Sequence, residues 1–418
     1  MSSHAKALLS SYDDVWLVDG VRTPFIEYNT ALGLVSATDL GIKAAREVFR
    51  KSAVAPGDVD IVVAGNVAQS SFDAYVLPRH VALYSQVPLE VPAQLVQRVC
   101  GTGIEAILQA ADAIKLGKAQ VGLAVGAESM SRNPIAAYTH RSGFRMGQVE
   151  FKDFLWEALL DPSCNLTMGG TAEKLAKQYG ITREEVDEFA AESFSRAIAA
   201  QKRCFFSGEI TAVVSEEFEL KGYASRGIKL PRGTEKLSED THVRPSPLEV
   251  LAKLKPAFGG VQTGGNSSGI VDGAAAALVG SGTYLKDRKK EPLARVVAGA
   301  VIGVPPEIMG ISPAPAIQNV LEVTGLKLSD IDRVEINEAF GAQVLACQRE
   351  LGLDRSKLNV NGGAIAIGHP LAATGIRLAV TVARELKQSN TRYGVASACI
   401  GGGQGIALLV ENVSAGKN

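Results

Sequence analysis

The sequence predicts an α/β fold that consists of two similar halves with a third segment inserted between them. Apolar strand-like runs alternate with helix-like stretches near both ends of the 418-residue chain, a pattern typical of layered α/β folds. Short sequences also recur at a constant offset of 272 residues (374 − 102), which indicates that one unit was duplicated and fused. We therefore predict an N-terminal half over residues 1–130, a loop domain over 131–291 that includes return strands of the N-terminal half, and a C-terminal half over 292–418.

Three matched sequences carry the repeat: TGI at 102–104 and 374–376, DVD and DID at 58–60 and 330–332, and GLA and GVA at 122–124 and 394–396. If two such halves pack together, a polar residue near each matched helix start faces the same seam. Cys100 has this place in the first half and His369 in the second. A thiol beside an imidazole is a nucleophile with its proton acceptor.

The order of elements follows from the apolar patterns. In the two halves we predict strands over 15–18, 59–64, 121–125, 294–300, 331–336 and 393–398, and helices over 37–52, 103–116, 315–324 and 375–387. The helices at 103–116 and 375–387 carry few charges, so we expect both to be buried and to pack together. In the charged insertion, helices are predicted over 169–179 and 183–203.

Composition excludes several classes of function. A net charge of −1 argues against non-specific nucleic-acid binding, and no apolar run is long enough to span a membrane. The five cysteines have neither CxxC nor metal-site spacing, which favours a reducing compartment. No secretory signal or peroxisomal tail is recognisable, so we expect a cytoplasmic location.

Three strand or helix ends carry candidate reactive groups. Cys100 lies at a predicted helix N-terminus, where the helix dipole favours a thiolate; the alternative is a buried structural cysteine. His369 follows a glycine-rich stretch, and Asn337 and Cys399 follow predicted strands. Ligand sites of α/β sheets gather at such strand ends.

The glycines at 401–403 are not followed by the Lys-Ser/Thr of a phosphate-binding P-loop, which argues against a P-loop there.

The insertion admits two interpretations. Its basic strings at 225–229 and 244–246 are either a solvated surface or part of a lid that binds an anionic ligand over the cysteine and histidine. The small polar string at 264–269 either lets a ligand approach the backbone closely or forms a turn.

Four sequences together resemble the active-site motifs of the thiolase family: RVCGTG around Cys100, NEAF around Asn337, NGGAIAIGHP around His369 and CIGGGQG around Cys399. Further similarity lies at 19–25 (DGVRTPF), 127–134 (AESMSRNP) and 272–276 (DGAAA), so that the resemblance covers residues 15–410. It implies a thiolase-like fold, in which two duplicated α/β halves form a five-layer α-β-α-β-α core, plus an inserted loop domain.

The resemblance also implies roles for these residues. Cys100 would attack the acyl group and become acylated, with His369 as proton acceptor, and Cys399 would exchange the Cα proton of acetyl-CoA. His369 and a water held by Asn337 would stabilise the enolate oxygen, and the N–H groups of Cys100 and Gly401 would receive the thioester oxygen. This chemistry needs no metal and no cofactor, since CoA and acyl-CoA are the substrates.

Substrate-binding residues follow from the same resemblance. Arg244 would lie against the adenine of CoA and Ser268 along the pantetheine arm, with the remaining walls formed by Leu159, Met168, Met309, Ala339 and Phe340. Thr102, Gln404 and Thr167 depart from common family residues. Thr167 stands where several short-chain biosynthetic members carry His or Asn, so we predict a 3-ketoacyl-CoA thiolase that accepts short to medium chains, in either the cleavage or the condensation direction.

The alternatives are a strictly acetoacetyl-CoA-specific thiolase, a ketoacyl synthase-like enzyme, an acyl-CoA hydrolase and a scaffold without activity. A second cysteine at 399 disfavours the synthase, and a hydrolase would use only Cys100 and His369. The segment 135–146 resembles the loop that makes family members tetramers, so we expect a homotetramer built as a dimer of dimers.

Overall fold

The computed structural model of the chain describes residues 7–138 and 140–416. Predictions that concern the first six and last two residues, and residue 139 in the 135–146 loop, lie outside these ranges. The strands are β1 (Ala7–Arg22), β2 (Ile26–Glu27), β3 (Ile61–Gly65), β4 (Ala93–Val96), β5 (Val121–Glu128), β6 (Ile135–Ala136), β7 (Lys152–Asp153), β8 (Leu160–Asp161), β9 (Leu166–Thr167), β10 (Val213–Val214), β11 (Glu216–Phe218), β12 (Arg226–Ile228), β13 (Lys236–Leu237), β14 (Val271–Ser281), β15 (Ala294–Gly303), β16 (Arg333–Ile336), β17 (Tyr393–Ile400) and β18 (Gln404–Glu411).

The helices agree closely with the predicted ones and add several short turns. They are α1 (Ala37–Ser52), α2 (Leu77–Tyr84), α3 (Thr102–Lys115), α4 (Phe154–Ala158), α5 (Met168–Tyr179), α6 (Arg183–Lys202), α7 (Leu248–Leu251), α8 (Gly282–Arg288), α9 (Pro313–Thr324), α10 (Gly341–Leu351), α11 (Ala364–Ile367) and α12 (Leu371–Gln388).

The main sheet has a symmetric strand order. Its path is β16-β17-β18-β15-β1-β14-β5-β3-β4, so β16-β17-β18-β15 in one half matches β3-β5-β14-β1 in the other. The pairs β3–β5 and β16–β17 are parallel, as is β3–β4, and the other pairs on the path are antiparallel. The long strand β1 pairs with both β14 and β15. Hydrogen bonds therefore join the two halves into one sheet, which the sequence pattern did not indicate.

The strands of each half form one layer of this continuous sheet, and helices cover both layers in the predicted five-layer order. Helix α1 packs on β14, β5 and β1, and α9 packs on β18 and β15. Helices α3 and α12 pack against each other and against strands of both halves. The layers thus run α, β, α, β, α with α3 and α12 in the central layer, which confirms the predicted fold class. Helices α5 and α6 of the inserted segment pack on α10, and α6 also packs on α11.

The repeat is visible in backbone hydrogen bonds as well as in topology. The carboxylate of Asp60 accepts from the N–H of Gln120 at 2.6 Å. Asp332 accepts from the N–H of Arg392 at 2.8 Å. Donor and acceptor are each shifted by 272 residues from one half to the other. Equivalent aspartates therefore close the loop before β5 and the loop before β17 in the same way.

Two glycines allow the central helices to touch. A Cβ atom on Gly103 would lie 2.5 Å from the backbone nitrogen of Ile376, and a Cβ atom on Gly375 would lie 2.3 Å from the backbone nitrogen of Ile104. Gly103 and Gly375 are matched by the repeat. The first turn of α3 and the second turn of α12 therefore cross at positions matched by the repeat, with backbone against backbone.

We expect Gly103→Ala to lower the free energy of unfolding by about 1–3 kcal/mol, because the methyl group forces two backbones apart. At an uncrowded helix position, glycine to alanine raises the free energy of unfolding by up to ~1 kcal/mol. The sign of the measured change therefore shows whether Gly103 is crowded by α12. Urea unfolding monitored by circular dichroism measures it. Gly57→Ala, with no atom within 4 Å of its added Cβ, is the control; an unchanged stability of Gly103→Ala contradicts the close crossing.

Candidate active site

Cys100 is presented by a strained turn just before α3. It lies in the short 3₁₀ turn Val99–Gly101, and Val99 has a φ of 41°, a left-handed conformation that is rare for a β-branched residue. Such strain costs about 1–3 kcal/mol and is concentrated at functional sites. The thiol is 7% exposed and packs against Val67, Met130 and Leu371. The turn therefore holds the sulfur in a narrow, largely apolar surrounding.

His369 is oriented through both of its ring nitrogens. Its Nε2 lies 3.2 Å from Nδ2 of Asn337, which can only donate. Its Nδ1 lies 2.6 Å from the hydroxyl oxygen of Thr374, and that hydroxyl lies 3.1 Å from the carbonyl oxygen of Pro370, to which it donates. These bonds assign the ring proton to Nδ1. The Nε2 lone pair is then the basic site of the ring.

A buried carboxylate connects the Asn337 loop to the His369 loop. Glu338 accepts from the hydroxyl of Ser193 at 2.6 Å, from Nδ2 of Asn359 at 2.9 Å and from the N–H of Ile365 at 3.2 Å. A Cβ atom at Gly363 would lie 2.3 Å from its carboxyl carbon. Burial raises the pKa of Glu338, and these hydrogen bonds oppose that rise. The carboxylate thus fixes the position of Asn337 relative to the segment that leads to His369.

Asn337 is fully buried, and its backbone N–H donates to the carbonyl of Ser397 at 2.9 Å. Its side-chain Oδ1 has no hydrogen-bond partner among the described residues. An unpaired buried acceptor of this kind is typical of a site for an ordered water or a ligand. The arrangement matches the expected use of Asn337 to hold a water.

The segment that follows β17 meets the Cys100 turn. The backbone N–H groups of Gly401 and of Cys100 itself act on the Cys100 thiol in the direction that lowers its pKa. A Cβ atom on Gly401 would lie 3.2 Å from the sulfur of Met168 and 3.7 Å from Val99. Cys399, at the end of β17, is fully buried and packs with Met309, Ala339 and Phe340. The structure therefore brings the groups predicted around the two reactive thiols together.

All three reactive groups are neutral at pH 7. Burial raises the pKa of Cys100 to about 11, and the N–H groups of Gly401 and Cys100 act in the opposite direction. Burial and the charge of Cys100 raise the pKa of Cys399 well above its usual range. Burial and the nearby Arg377 guanidinium lower the pKa of His369 to about 3. The resting site therefore holds two thiols and a neutral imidazole.

A cavity of about 440 Å³ leads to this site. Five of the predicted residues line it: Leu159, Met168, Ser268, Phe340 and His369. The cavity wall also includes Trp156 and Phe258, which the sequence interpretation did not identify. The rings of Phe258 and Phe340 are 6.0 Å apart and nearly perpendicular. The wall is mostly apolar with a few polar groups, as is usual for small-molecule sites.

The small polar string at 264–269 joins the two catalytic loops. The N–H of Ser268 donates to the carbonyl of Ala339 at 3.0 Å, and the N–H of His369 donates to the carbonyl of Gly269 at 3.0 Å. Ser267 forms a backbone bridge with Phe340. The string contains a turn, in which the N–H of Asn266 donates to the carbonyl of Thr263 at 3.4 Å, and it also forms part of the cavity wall.

Arg244 lies outside the cavity wall. Its side chain is half exposed and lies 2.9 Å from the Glu27 carboxylate and 3.2 Å from Nδ1 of His242. His242 does line the cavity. Arg244 is thus one contact away from the mouth of the cavity. The basic string at 225–229 is elsewhere, since Arg226 is paired with Asp39 and Asp73 in a separate groove.

The sequence interpretation did not identify two positioning groups, although the sequence contained a signal for one of them. Thr374 belongs to the repeated TGI triplet, which was a usable signal, because its counterpart Thr102 donates to the carbonyl of Val99 beside Cys100. Ser193 lies in α6, 145 residues from Glu338, and nothing in the sequence connects the two. The described residues contain no cluster of three or more metal-ligating side chains, and none of their helices is long and apolar enough to cross a membrane.

Comparison with known proteins identifies the family of this chain. Two family models match the chain, "Thiolase, N-terminal domain" over residues 15–283 and "Thiolase, C-terminal domain" over 290–412. The chain is 42% identical to human mitochondrial 3-ketoacyl-CoA thiolase over 96% of its length and 98% of that protein. It is 41% identical to a beta-ketothiolase of Cupriavidus necator, over 96% and 99% of the two chains. The crystal structure of the human enzyme in complex with CoA superimposes with a TM-score of 0.89 at 42% identity and covers 96% of this chain and 98% of that one.

These relatives contradict one prediction. The human protein is mitochondrial by name, and the same holds for further relatives at 41–42% identity. The predicted cytoplasmic location is therefore wrong as an inference, because the lack of a secretory signal does not distinguish between the reducing compartments of a cell.

We expect His369 to remain neutral from pH 5 to pH 8, with its proton on Nδ1, because its pKa is lowered to about 3. Magic-angle-spinning ¹⁵N spectra of histidine-labelled protein measure protonation and tautomer directly. The resonances absent from a His369→Asn sample belong to His369. Imidazolium signals from this residue at pH 6 would contradict the assignment.

Proposed function

The chain belongs to the thiolase family of acyltransferases, and on that premise we propose that it exchanges acyl groups between 3-ketoacyl-CoA and CoA through an acylated Cys100. Two observations support the proposal: Cys100 packs in one cluster with Leu371 and Ala372, in the first turn of the helix that follows His369, and His369 contacts Asn337. Each element has a role in a ping-pong reaction that needs no cofactor beyond its substrates.

The first half-reaction moves two protons. The Cys100 sulfur attacks the 3-keto carbon while its proton passes to Nε2 of His369. The bond between C2 and C3 then breaks, and the acetyl-CoA enolate takes the proton of Cys399 at C2. With a Cys100 pKa of about 11 and a His369 pKa of about 3, a thiolate–imidazolium pair is not the resting state. The proton therefore leaves as the carbon–sulfur bond forms, as in general base catalysis.

The second half-reaction restores the protein. The thiol of CoA gives its proton to the Cys399 thiolate and attacks the acyl carbon on Cys100. The Cys100 sulfur leaves and recovers its proton from His369, which releases an acyl-CoA shortened by two carbons. Run backwards, the same steps condense two acyl-CoA molecules. The protons balance in both directions without a further acid or base.

Two sets of hydrogen-bond donors would stabilise the negative oxygens. The N–H groups of Cys100 and Gly401 act on the Cys100 thiol, and we assign them to the carbonyl oxygen of the acyl group that this sulfur would carry. The other set is His369 with a water on the unpaired oxygen of Asn337. Loss of one such donor typically costs about 3–4 kcal/mol of transition-state stabilisation.

The cavity supports a substrate of short to medium chain length. Met168, Phe258 and Phe340 form an apolar wall next to the reactive groups, and methionine adapts to different shapes. A Cβ atom at Gly169 would lie 2.4 Å from the Phe258 ring, so the absence of a side chain there admits this ring. Thr167 caps α5 by accepting from the N–H of Gly170 at 3.1 Å. A threonine at this position provides neither the imidazole nor the amide that several short-chain biosynthetic family members carry there.

Two exposed apolar surfaces support a dimer of dimers. One is formed by the segment that precedes β4 in the chain and includes exposed Phe72, Tyr75 and Leu89. The other is the 135–146 loop, where Ile135, Tyr138, Phe144 and Met146 are exposed. Extended apolar surface on a soluble protein marks interaction sites, and a tetramer with two-fold symmetry needs two kinds of interface.

We expect Cys100→Ser, Cys399→Ala and His369→Ala each to lower kcat for CoA-dependent cleavage by about 10²–10⁴-fold, because each removes a proton-transfer group or the nucleophile. Cys204→Ala, a change at an exposed cysteine, should retain full activity. The assay uses 3-ketoacyl-CoA substrates of roughly four to sixteen carbons, since chain length is what such pockets discriminate.

The substrate series also decides between alternatives. Cleavage confined to the four-carbon substrate identifies a strict acetoacetyl-CoA thiolase. Acyl release to water without a CoA thiol identifies a hydrolase and overturns the proposal. Wild-type protein that is inactive on every length overturns it as well.

We expect wild-type protein to sediment as a tetramer and the double variant Phe144→Glu/Met146→Glu to sediment as a dimer, because charge replaces apolar contact in the 135–146 loop. Sedimentation velocity at several concentrations measures this. Tyr223→Glu, at an exposed aromatic residue outside both surfaces, is the control and should remain tetrameric. Wild-type protein that sediments as a dimer contradicts the second interface.

A further inference from the structure

A second buried carboxylate lies beside Cys100 and has no part in the proton transfers described above. Glu128, the last residue of β5, is fully buried. Its Oε2 accepts from the N–H of Val67 at 3.2 Å and from the N–H of Ala372 at 3.0 Å. Its Oε1 accepts from Nδ2 of Asn66 at 3.0 Å and from the N–H of Ala68 at 3.1 Å.

The hydrogen bonds of Glu128 select its ionised form. All four partners are N–H donors, and a protonated acid would direct its own O–H at one of them. Hydrogen bonds to the charged form favour ionisation, whereas burial raises the pKa of Glu128 to about 7. Asp272 is the other charged group that acts on it, and it raises the pKa further. The geometry shows what the carboxylate does once ionised: it satisfies N–H groups from two different loops at once.

Those two loops are walls of the nucleophile's surroundings. Val67, Leu371 and Ala372 all pack in the small cluster that contains Cys100. Val67 follows β3 in the N-terminal half, and Ala372 lies in the first turn of α12 in the C-terminal half. A single oxygen of Glu128 therefore joins one wall from each half. Ala372 is also three residues after His369, so the same bond holds the start of the helix that follows the base.

The repeat explains why a carboxylate belongs in this place. Ala372 is matched with Cys100 by the 272-residue shift. The first N–H groups of a helix have no partner within the helix, and the positive end of the helix dipole favours an anion there. At α3 the corresponding position carries the thiol that becomes anionic on reaction. At α12 the bond from Ala372 goes to Glu128 instead.

We propose that Glu128 is a positioning residue that sets the geometry and the charge around Cys100 by bonding Val67 and Ala372 to one carboxylate oxygen. Its effect on turnover rests on the thiolase function proposed above. Its effect on Cys100 does not, because thiol reactivity can be measured without a thiolase substrate. The charged or titratable groups that act on the Cys100 thiol are Glu128 and Cys399, which are electrostatically coupled to it, and His369 in the same site.

The test combines two substitutions with two measurements. Glu128→Gln removes the charge and places an amide N–H₂ against N–H donors. Glu128→Asp keeps the charge but is one methylene too short to reach both walls. For each variant we would measure kcat and KM for CoA-dependent cleavage, and the pH dependence of Cys100 alkylation by iodoacetamide.

For Glu128→Gln we expect a roughly 10–100-fold lower kcat with KM changed less than about threefold, as for a change in positioning around the reacting atoms. The alkylation midpoint should move to lower pH by at least roughly 0.5 unit, because a nearby negative charge is lost. For Glu128→Asp we expect a lowered kcat with an unchanged alkylation midpoint. A purely structural role would leave the midpoint in place in both variants.

Glu411→Gln is the matched control. Glu411 is also a buried carboxylate, but it binds Arg295 and Arg392 at the far end of β18 from Gln404. The Glu411→Gln variant should have the same kcat and the same midpoint of Cys100 alkylation as wild type. The proposal is overturned if Glu128→Gln has a kcat within twofold of wild type and an unchanged alkylation midpoint. It is also overturned if Glu411→Gln loses as much kcat as Glu128→Gln does.

Wild-type protein provides a test that does not depend on the folding of any variant. The amides of Val67 and Ala372 should be strongly protected in hydrogen–deuterium exchange of peptides that cover 66–68 and 371–373. Rapid exchange of either peptide overturns the proposal. If wild-type protein lacks thiolase activity, the proposed function fails, while exchange and alkylation still decide the role of Glu128.

Discussion

Helices α3 and α12 touch through Gly103 and Gly375, and the position of every reactive group depends on that contact. Because a Cβ atom on either glycine would meet backbone atoms of the other helix at 2.5 Å or less, only glycine at these two positions allows the helices to cross so closely. The turn that holds Cys100 leads into α3 and the loop that holds His369 leads into α12. The crossing therefore makes two distant parts of the chain neighbours. Hydrogen bonds between β1 and β15 then join the surrounding halves.

Buried polar groups keep the site in one arrangement. Glu338 bonds to α6 and to the segments that lead to His369, and the 264–269 string bonds to both catalytic loops. Preorganised dipoles of this kind stabilise charge as it forms, with little rearrangement at the moment of reaction. An unpaired buried polar group would be costly, so each of these bonds also opposes movement of the loop that carries it. The same burial keeps His369 neutral and therefore able to accept a proton.

Chemistry and substrate selection are contributed by different parts of the chain. Cys100, Asn337, His369 and Cys399 lie at ends of elements of the two halves. Much of the cavity wall, including Trp156, Met168 and Phe258, comes from the inserted segment. Changes in that segment can alter the shape of the cavity while the packed crossing of α3 and α12 stays the same. This separation agrees with the general rule that function is carried by sites on loops held by a rigid scaffold.

Local patterns in the sequence were enough to determine the main elements and to identify the candidate reactive residues. The helix predicted over 37–52 has the same bounds in the structure, because Ser36 caps it and its apolar period is regular. The motifs around Cys100 and His369 could be recognised because their glycines stand next to the residues they serve. Only the tertiary structure decided how these residues are used. The bonds from His369 to Thr374 and from Ser193 to Glu338 determine tautomer and position, and the second of them spans 145 residues. Such contacts leave no periodic trace in the sequence, because a hydrogen bond depends on where two groups meet in space and not on their separation along the chain.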